Sequence, residues 1–208
     1  MRKKISKFFY RFLAYIVRIL LKIIWGYKVY GIENLPNPPY LITANHLSLL
    51  DPILIGAIYD FRLYYLAKEE IFKFSLARPF LEWLGAVNVN RKEFKKESWK
   101  KIKELIEKKN ILVIFPEGTR NINPDKGLLS FKAGAATLAL QYGLKIVPIG
   151  IIGTDKIWGR GRKFPKFNHK VIVKIGRPIE VPKILKPTKE DIVKINQKMK
   201  ESISTLIK

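Results

Sequence analysis

Residues 40–59 read YLITANHLSLLDPILIGAIY, an apolar run followed by a polar turn and a second apolar segment. Tyr40–Thr43 is typical of a buried β-strand, because it is short, apolar and partly β-branched. Pro52 is favoured at the first position of a helix and predicts a helix over Pro52–Tyr59. A strand that leads through a polar turn into a helix is the repeating unit of α/β sheets.

The same alternation continues on both sides of this stretch. We predict further strands over Tyr27–Tyr30, Leu63–Ala67, Ala86–Val89, Ile111–Phe115, Lys145–Ile151 and Val171–Ile175, and further helices over Leu76–Leu84, Glu93–Lys109, Ala133–Gln141 and Lys189–Ile207. Thr188 with Asp191 three positions on is a capping-box pattern for the last helix. No repeat or Pro/Gly-rich linker divides the chain, so we expect a single α/β domain over residues 26–208, with a mixed, largely parallel sheet flanked by helices.

Four of the predicted strands are followed within a few residues by a side chain that can titrate or bind an anion. These side chains are His46, Lys68, Arg91 and Arg120. In open α/β sheets, ligands bind at the carboxyl ends of parallel strands. If the four strands are parallel neighbours, one base and three cations lie along a single rim of the sheet.

An N-terminal segment, residues 1–25, combines apolar and basic residues in a helical pattern. At about 100° per residue, the basic positions fall within one narrow arc and the apolar ones cover the remainder. No charge-free run exceeds six residues, whereas a spanning helix needs roughly 20 mostly apolar residues. We therefore predict an amphipathic helix, or a helix pair, that binds an anionic membrane surface through Phe8, Phe9, Phe12, Ile16, Leu20, Ile24, Lys7, Arg11, Arg18 and Lys22. The alternative is a helix that packs on the domain.

The overall charge is strongly positive, with 40 Lys and Arg against 17 Asp and Glu and a formal net charge of +23. Such a surplus attracts polyanions, either nucleic acid or an acidic lipid surface. The chain has no cysteine, which excludes disulfides, thiolate nucleophiles and Cys-ligated zinc. Its two histidines, His46 and His169, are too few for a His-based metal site. We expect neither a metal nor a cofactor.

His46 and Asp51 are candidates for base catalysis. An imidazole can take a proton from a hydroxyl at one nitrogen while a carboxylate fixes its tautomer at the other. Asp51 directly precedes Pro52, so a helix N-cap is the alternative, and one carboxylate can serve in both roles.

The segment FPEGTR, residues 115–120, supplies further polar groups at the end of a predicted strand. Pro116 and Gly118 favour a turn after the strand, and we expect Glu117, Thr119 and Arg120 in this segment to face the rim. The alternative is an ordinary transition from strand to loop with a surface ion pair.

Four segments in this order resemble the four-block pattern of the glycerolipid acyltransferase family. They are NHLSLLD at 45–51, GAVNVNR at 85–91, FPEGTR at 115–120 and VPIGI at 147–151. The first and third are the most specific. The resemblance implies that His46 is the catalytic base and Asp51 its partner. It matches the acceptor-binding positions to Arg91, Glu117, Gly118 and Arg120, with the two arginines holding a phosphate, and the rim adds Lys68 and Thr119 as candidate substrate contacts.

The implied activity is transfer of a fatty acyl group from acyl-CoA or acyl carrier protein to the sn-2 hydroxyl of lysophosphatidic acid, giving phosphatidic acid. It requires no cofactor, and we expect it at the cytoplasmic face of the cell membrane, in a peripheral or monotopic protein. Two alternatives stay open. One is an acyltransferase for another acceptor, such as glycerol 3-phosphate or a different lysophospholipid. The other is a basic nucleic-acid-binding protein, although we do not expect nucleic acid as a partner.

Overall fold

The computed structural model describes residues 7–68, 85–89 and 96–208. The strands are β1 Lys28–Tyr30, β2 Leu41–Ala44, β3 Tyr64–Lys68, β4 Ala86–Val89, β5 Leu112–Ile114, β6 Ile146–Ile152 and β7 Ile172–Ile175. The helices are α1 Lys7–Trp25, α2 Asp51–Gly56, α3 Lys96–Glu107, α4 Ala133–Tyr142, α5 Thr154–Trp158 and α6 Lys189–Leu206. The helix predicted over Leu76–Leu84 and the candidate Arg91 lie outside the described residues.

The seven strands form one sheet in the order β1-β7-β6-β2-β5-β3-β4. β6, β2, β5, β3 and β4 are parallel neighbours, whereas β7 runs antiparallel to β6 and pairs in parallel with β1. The predicted mixed, largely parallel sheet is confirmed. The carboxyl ends of β2, β3 and β5 therefore lie at one rim, as the sequence predicted.

Helices cover both faces of the sheet. Side chains alternate between the two sides of each strand, so each strand contributes to both layers of the core. Ile42 of β2 packs with Leu21 of α1 and Leu54 of α2 in one buried cluster. The adjacent Leu41 packs on the other side, in a cluster that contains residues of α3, α4 and α6. Burial on both faces explains why β2 reads as a continuous apolar run.

One side of helix α1 packs on the domain. Leu21 and Trp25 are buried. Nε of Arg18 donates to the carbonyl of Ala57 at 2.8 Å, and a second guanidinium nitrogen pairs with Asp60 at 3.1 Å. Arg18 therefore holds the helix on the domain, where the sequence pattern had grouped it with membrane-facing cations.

The opposite side of α1 carries an apolar stripe in contact with solvent. Its exposed residues recur every three or four positions, at Phe8, Phe12, Tyr15, Ile19 and Ile23. Among the other predicted membrane residues, Leu20, Arg11 and Lys22 are exposed and Ile16 and Ile24 are half-buried, while the side chains of Lys7 and Phe9 lie outside the described part of the chain. Within that part, no helix combines the length and the apolar character needed to cross a membrane.

Candidate active site

His46 lies in the loop between β2 and α2, at the rim of the sheet. Its Nδ1 is 2.8 Å from Oδ2 of Asp51. An ionised carboxylate only accepts hydrogen bonds, so Nδ1 donates to Asp51 and Nε2 lies on the far side of the ring. The imidazole side chain is 17% exposed. Phe115 stacks on the ring, with the centroids 4.1 Å apart, and fixes its plane.

Asp51 is completely buried and accepts four hydrogen bonds. Besides the imidazole, the backbone N–H groups of Leu47 and Ser48 donate to Oδ2 at 2.6 and 2.8 Å. The hydroxyl of Thr154 donates to Oδ1 at 2.7 Å. The carboxylate therefore turns back onto the preceding loop instead of capping α2, whose N-cap is Leu50 without a side-chain bond. The N-cap alternative is wrong.

Glu117 holds the backbone of the His46 loop. It is 2% exposed. Its Oε1 accepts the N–H of His46 at 2.9 Å, and Oε2 accepts the N–H of Leu129 at 3.0 Å. Burial raises the pKa of this carboxyl, and the two backbone hydrogen bonds act in the opposite direction. A direct contact between Glu117 and the acyl-acceptor substrate stays a prediction. The geometry adds a role for Glu117 in positioning the His46 loop.

Two asparagines that are not among the predicted site residues fix the loop from either side. The side chain of Asn45 donates to the carbonyl of Ile151 at 2.8 Å and accepts its N–H at 2.7 Å, so that it continues the pairing of β2 with β6. The N–H of Asn121 donates to the carbonyl of His46 at 2.7 Å. The loop that carries the imidazole is thus tied to β6 on one side and to the loop after β5 on the other.

The predicted substrate cations are described only in part. Arg120 is half-buried, and its position after Glu117 puts it at the same rim as His46. Burial and the positive charge of Arg160 lower the pKa of Arg120, whereas Asp51 raises it. Lys68 ends β3 at this rim, and its side chain lies outside the described residues, as does Arg91.

The turn after β5 shows why glycine stands within FPEGTR. Gly118 has a φ of 71°, a left-handed conformation that other residues adopt at a cost. The next residue, Thr119, is exposed. Across the described ranges, no three His, Cys, Asp or Glu side chains are grouped to hold a metal ion.

Comparison with known proteins identifies relatives along most of the chain. The family described as Acyltransferase matches residues 26–152. A 1-acyl-sn-glycerol-3-phosphate acyltransferase of Saccharomyces cerevisiae is 32% identical over 189 residues, 87% of this chain and 59% of the relative. The protein of the same name from Bacillus subtilis is 29% identical over 201 residues, 95% of this chain and 96% of the relative. This chain therefore spans somewhat more than half of the yeast relative and nearly all of the bacterial one.

A solved structure shares the fold. It is the crystal structure of the 1-acyl-sn-glycerophosphate (LPA) acyltransferase PlsC from Thermotoga maritima. The two chains have a TM-score of 0.72 and 27% sequence identity, over 99% of this chain and 83% of the other.

Proposed function

The chain belongs to the Acyltransferase family of O-acyltransferases, and from that premise we propose that it acylates the sn-2 hydroxyl of lysophosphatidic acid to give phosphatidic acid. The observation that carries the proposal is the buried Asp51 carboxylate hydrogen-bonded to Nδ1 of His46, next to the segment that bears Arg120. The names of the relatives support this acceptor over glycerol 3-phosphate or another lysophospholipid.

His46 acts as the general base. Its Nε2 takes the proton of the sn-2 hydroxyl as that oxygen attacks the thioester carbonyl carbon of the acyl donor. The carbon–sulfur bond then breaks, and the imidazolium returns the proton to the leaving thiolate. Asp51 stabilises the imidazolium in between. The acyl group passes directly to the acceptor, without a covalent acyl-enzyme, and the donor is acyl-CoA or acyl carrier protein.

The acceptor's phosphate is held by the cations of the rim. Arg120 and Arg91 bind its oxygens with planar guanidinium groups, and Lys68 contributes a point charge. Gly118 and Thr119 belong to the same turn as Arg120. The backbone there is free to approach an acceptor, because Gly118 carries no side chain.

The substrate is collected from an anionic membrane surface, which we assign to the cytoplasmic leaflet because that leaflet carries acidic lipids. The exposed stripe of α1 supplies the apolar contact, and Arg11 and Lys22 lie exposed on the same helix. Such a helix lies in the interface, with its apolar side among the acyl chains.

A second apolar segment adjoins the end of α1. Nε1 of Trp25 donates to the carbonyl of Lys166 at 2.8 Å, and the indole stacks on Phe167 at 6.0 Å. Phe164 and Phe167 are 79% and 66% exposed. Aromatic rings among lysines are typical of a membrane–water interface.

Product analysis with a panel of donors and acceptors tests the activity. We expect acylation of lysophosphatidate, and a loss of at least about a hundredfold in rate for His46→Ala. His169→Ala, which changes the second histidine of the chain, is the matched control. Equal acylation of a phosphate-free lysolipid would contradict the anchoring by arginines, and near-normal turnover of His46→Ala would contradict the proposed base.

Co-sedimentation with anionic liposomes tests the membrane surface. Ile23→Ser removes an apolar residue of α1 that is 76% exposed, and Leu185→Ser removes one that is 74% exposed elsewhere on the domain. We expect weaker partitioning only for Ile23→Ser. Equal partitioning of the two variants and the unaltered chain would contradict docking through α1. Competition by duplex DNA across a salt titration distinguishes this surface from a nucleic-acid site.

A further inference from the structure

A cleft of about 490 Å³ opens beside the loop that carries His46. One wall is formed by the loop that follows Arg120, from Asn121 to Asp125, and the other by the turn after α5, which includes Arg160 and Arg162. Its volume lies within the range of about 300–1,000 Å³ that is usual for small-molecule sites.

Both walls are fixed to the catalytic loop. On one side the N–H of Asn121 donates to the carbonyl of His46 at 2.7 Å. On the other, the hydroxyl of Ser48 donates to the carbonyl of Trp158 at 2.7 Å, and Ser48 pairs with Gly159 in an antiparallel bridge. The cleft is therefore anchored to the loop that carries the imidazole.

The guanidinium charges near the cleft favour binding of an anion. Arg160 lies close enough to Arg120 for its positive charge to lower the pKa of Arg120. Within residues 7–68, 85–89 and 96–208, neither guanidinium forms an ion pair with a carboxylate. Asp125 and Asp155 also line the cleft, and they would repel an anion from their part of it. An anion bound between Arg160 and Arg120 would offset the repulsion of the two guanidiniums.

We propose that Arg160, which lines this cleft, and Arg120, which directly precedes the lining residue Asn121, together bind a phosphate group of a substrate. The inference rests on the proposed acyl transfer and adds Arg160, from a loop that the motifs do not include. Planar guanidinium groups suit phosphate oxygens because they donate two parallel hydrogen bonds. Two sources offer this chemistry, namely the phosphomonoester of the acceptor and the phosphates of a CoA donor.

Steady-state kinetics of Arg160→Gln in detergent micelles distinguishes the two sources. Loss of a charge-assisted hydrogen bond should raise one KM by about tenfold or more. A rise for lysophosphatidate alone assigns the phosphate to the acceptor, and a rise for acyl-CoA alone assigns it to the donor. Lys163→Gln is the control, since it removes an exposed cation of the same loop that does not line the cleft. Unchanged KM values for both substrates, or equal changes in the two variants, would overturn the proposal.

A binding experiment separates this inference from the proposed reaction. Calorimetric titration with glycerol 3-phosphate and with adenosine 3′,5′-bisphosphate requires no turnover. We expect one of the two to bind the unaltered protein and to lose about tenfold or more in affinity with Arg160→Gln. Arg160-dependent binding in a protein without acyltransferase activity would sustain the phosphate site and refute only the reaction. Binding that is absent, or indifferent to Arg160, would refute the site.

Discussion

Replacement of Glu117 by Gln separates a positioning role from a substrate contact. The carboxylate is an acceptor at both oxygens, one for the N–H of His46 and one for the N–H of Leu129. Gln keeps the shape but has a single acceptor, and its amide nitrogen donates. In either orientation of the amide, one backbone N–H loses its acceptor and faces another donor.

The size of the effect follows from the burial of this side chain. A buried N–H without an acceptor costs about 1–3 kcal/mol. Burial also raises the pKa of Glu117, so the ionised carboxylate carries a desolvation cost that Gln does not have. This cost offsets part of the loss, and we expect the free energy of unfolding to fall by about 1–2 kcal/mol. A penalty of about 1.4 kcal/mol in holding the His46 loop corresponds to roughly a tenfold lower kcat.

Urea unfolding and steady-state acylation, measured on the same samples, test this prediction. Glu104→Gln makes the same change at an exposed site in α3 and should leave both measurements unaltered. A positioning role lowers stability and kcat while the KM for lysophosphatidate changes by less than about twofold. A raised acceptor KM with unchanged stability would refute this reasoning and would favour the direct acceptor contact that the family resemblance implies.

Three further changes have defined outcomes. Thr154→Val removes the hydroxyl that donates to Asp51. It should lower kcat roughly tenfold, and an unchanged kcat would contradict this role. Gly153→Ala combines a φ of 92° with a backbone clash, whereas Gly127→Ala has a φ of 87° in open space. In thermal unfolding, Gly153→Ala should therefore lose more stability than Gly127→Ala, because the clash adds to about 1–3 kcal/mol of backbone strain. Equal losses of stability would refute the clash. Hydrogen bonds at the N-cap of α6 hold the pKa of Asp191 below its usual range, so its stabilising effect is present above about pH 4 and is lost as the pH falls through the folded-state pKa. Urea unfolding should give lower stability for Asp191→Asn at pH 7 but not at about pH 2, and a constant difference would argue against this linkage.

The sequence predicted the sheet well because its strands carry strong local signals. Leu41–Ala44 is buried throughout, so a short apolar run was the expected pattern, and every predicted strand boundary lies within one residue of the observed one. The rim was predictable for the same reason, since polar residues follow these strands directly. The capping box at Thr188 is also confirmed, because it depends on residues only three positions apart.

Contacts between distant segments were not predictable from local patterns. Thr154 reaches Asp51 across 103 positions, and only the placement of β6 beside β2 brings the two together. Helix α5 has five residues, too few for a helical period to be read. Arg18 belongs to a basic stripe by sequence, yet a carbonyl and a carboxylate of the domain engage it in the folded chain.

The central position of β2 in the sheet couples correct strand alignment to the geometry of the candidate active site. β2 precedes the imidazole, and the strands on either side of it, β5 and β6, precede the groups that hold the imidazole in place. A slip of one residue in any of the three would move core side chains to the opposite face of the sheet, where they do not match the packing, and carry Glu117 or Thr154 out of hydrogen-bonding range. Chains with misaligned strands should thus be detectable by their sensitivity to protease, without any activity assay. Selection of variants in these strands for solubility and protease resistance would also enrich for an intact His46–Asp51 pair.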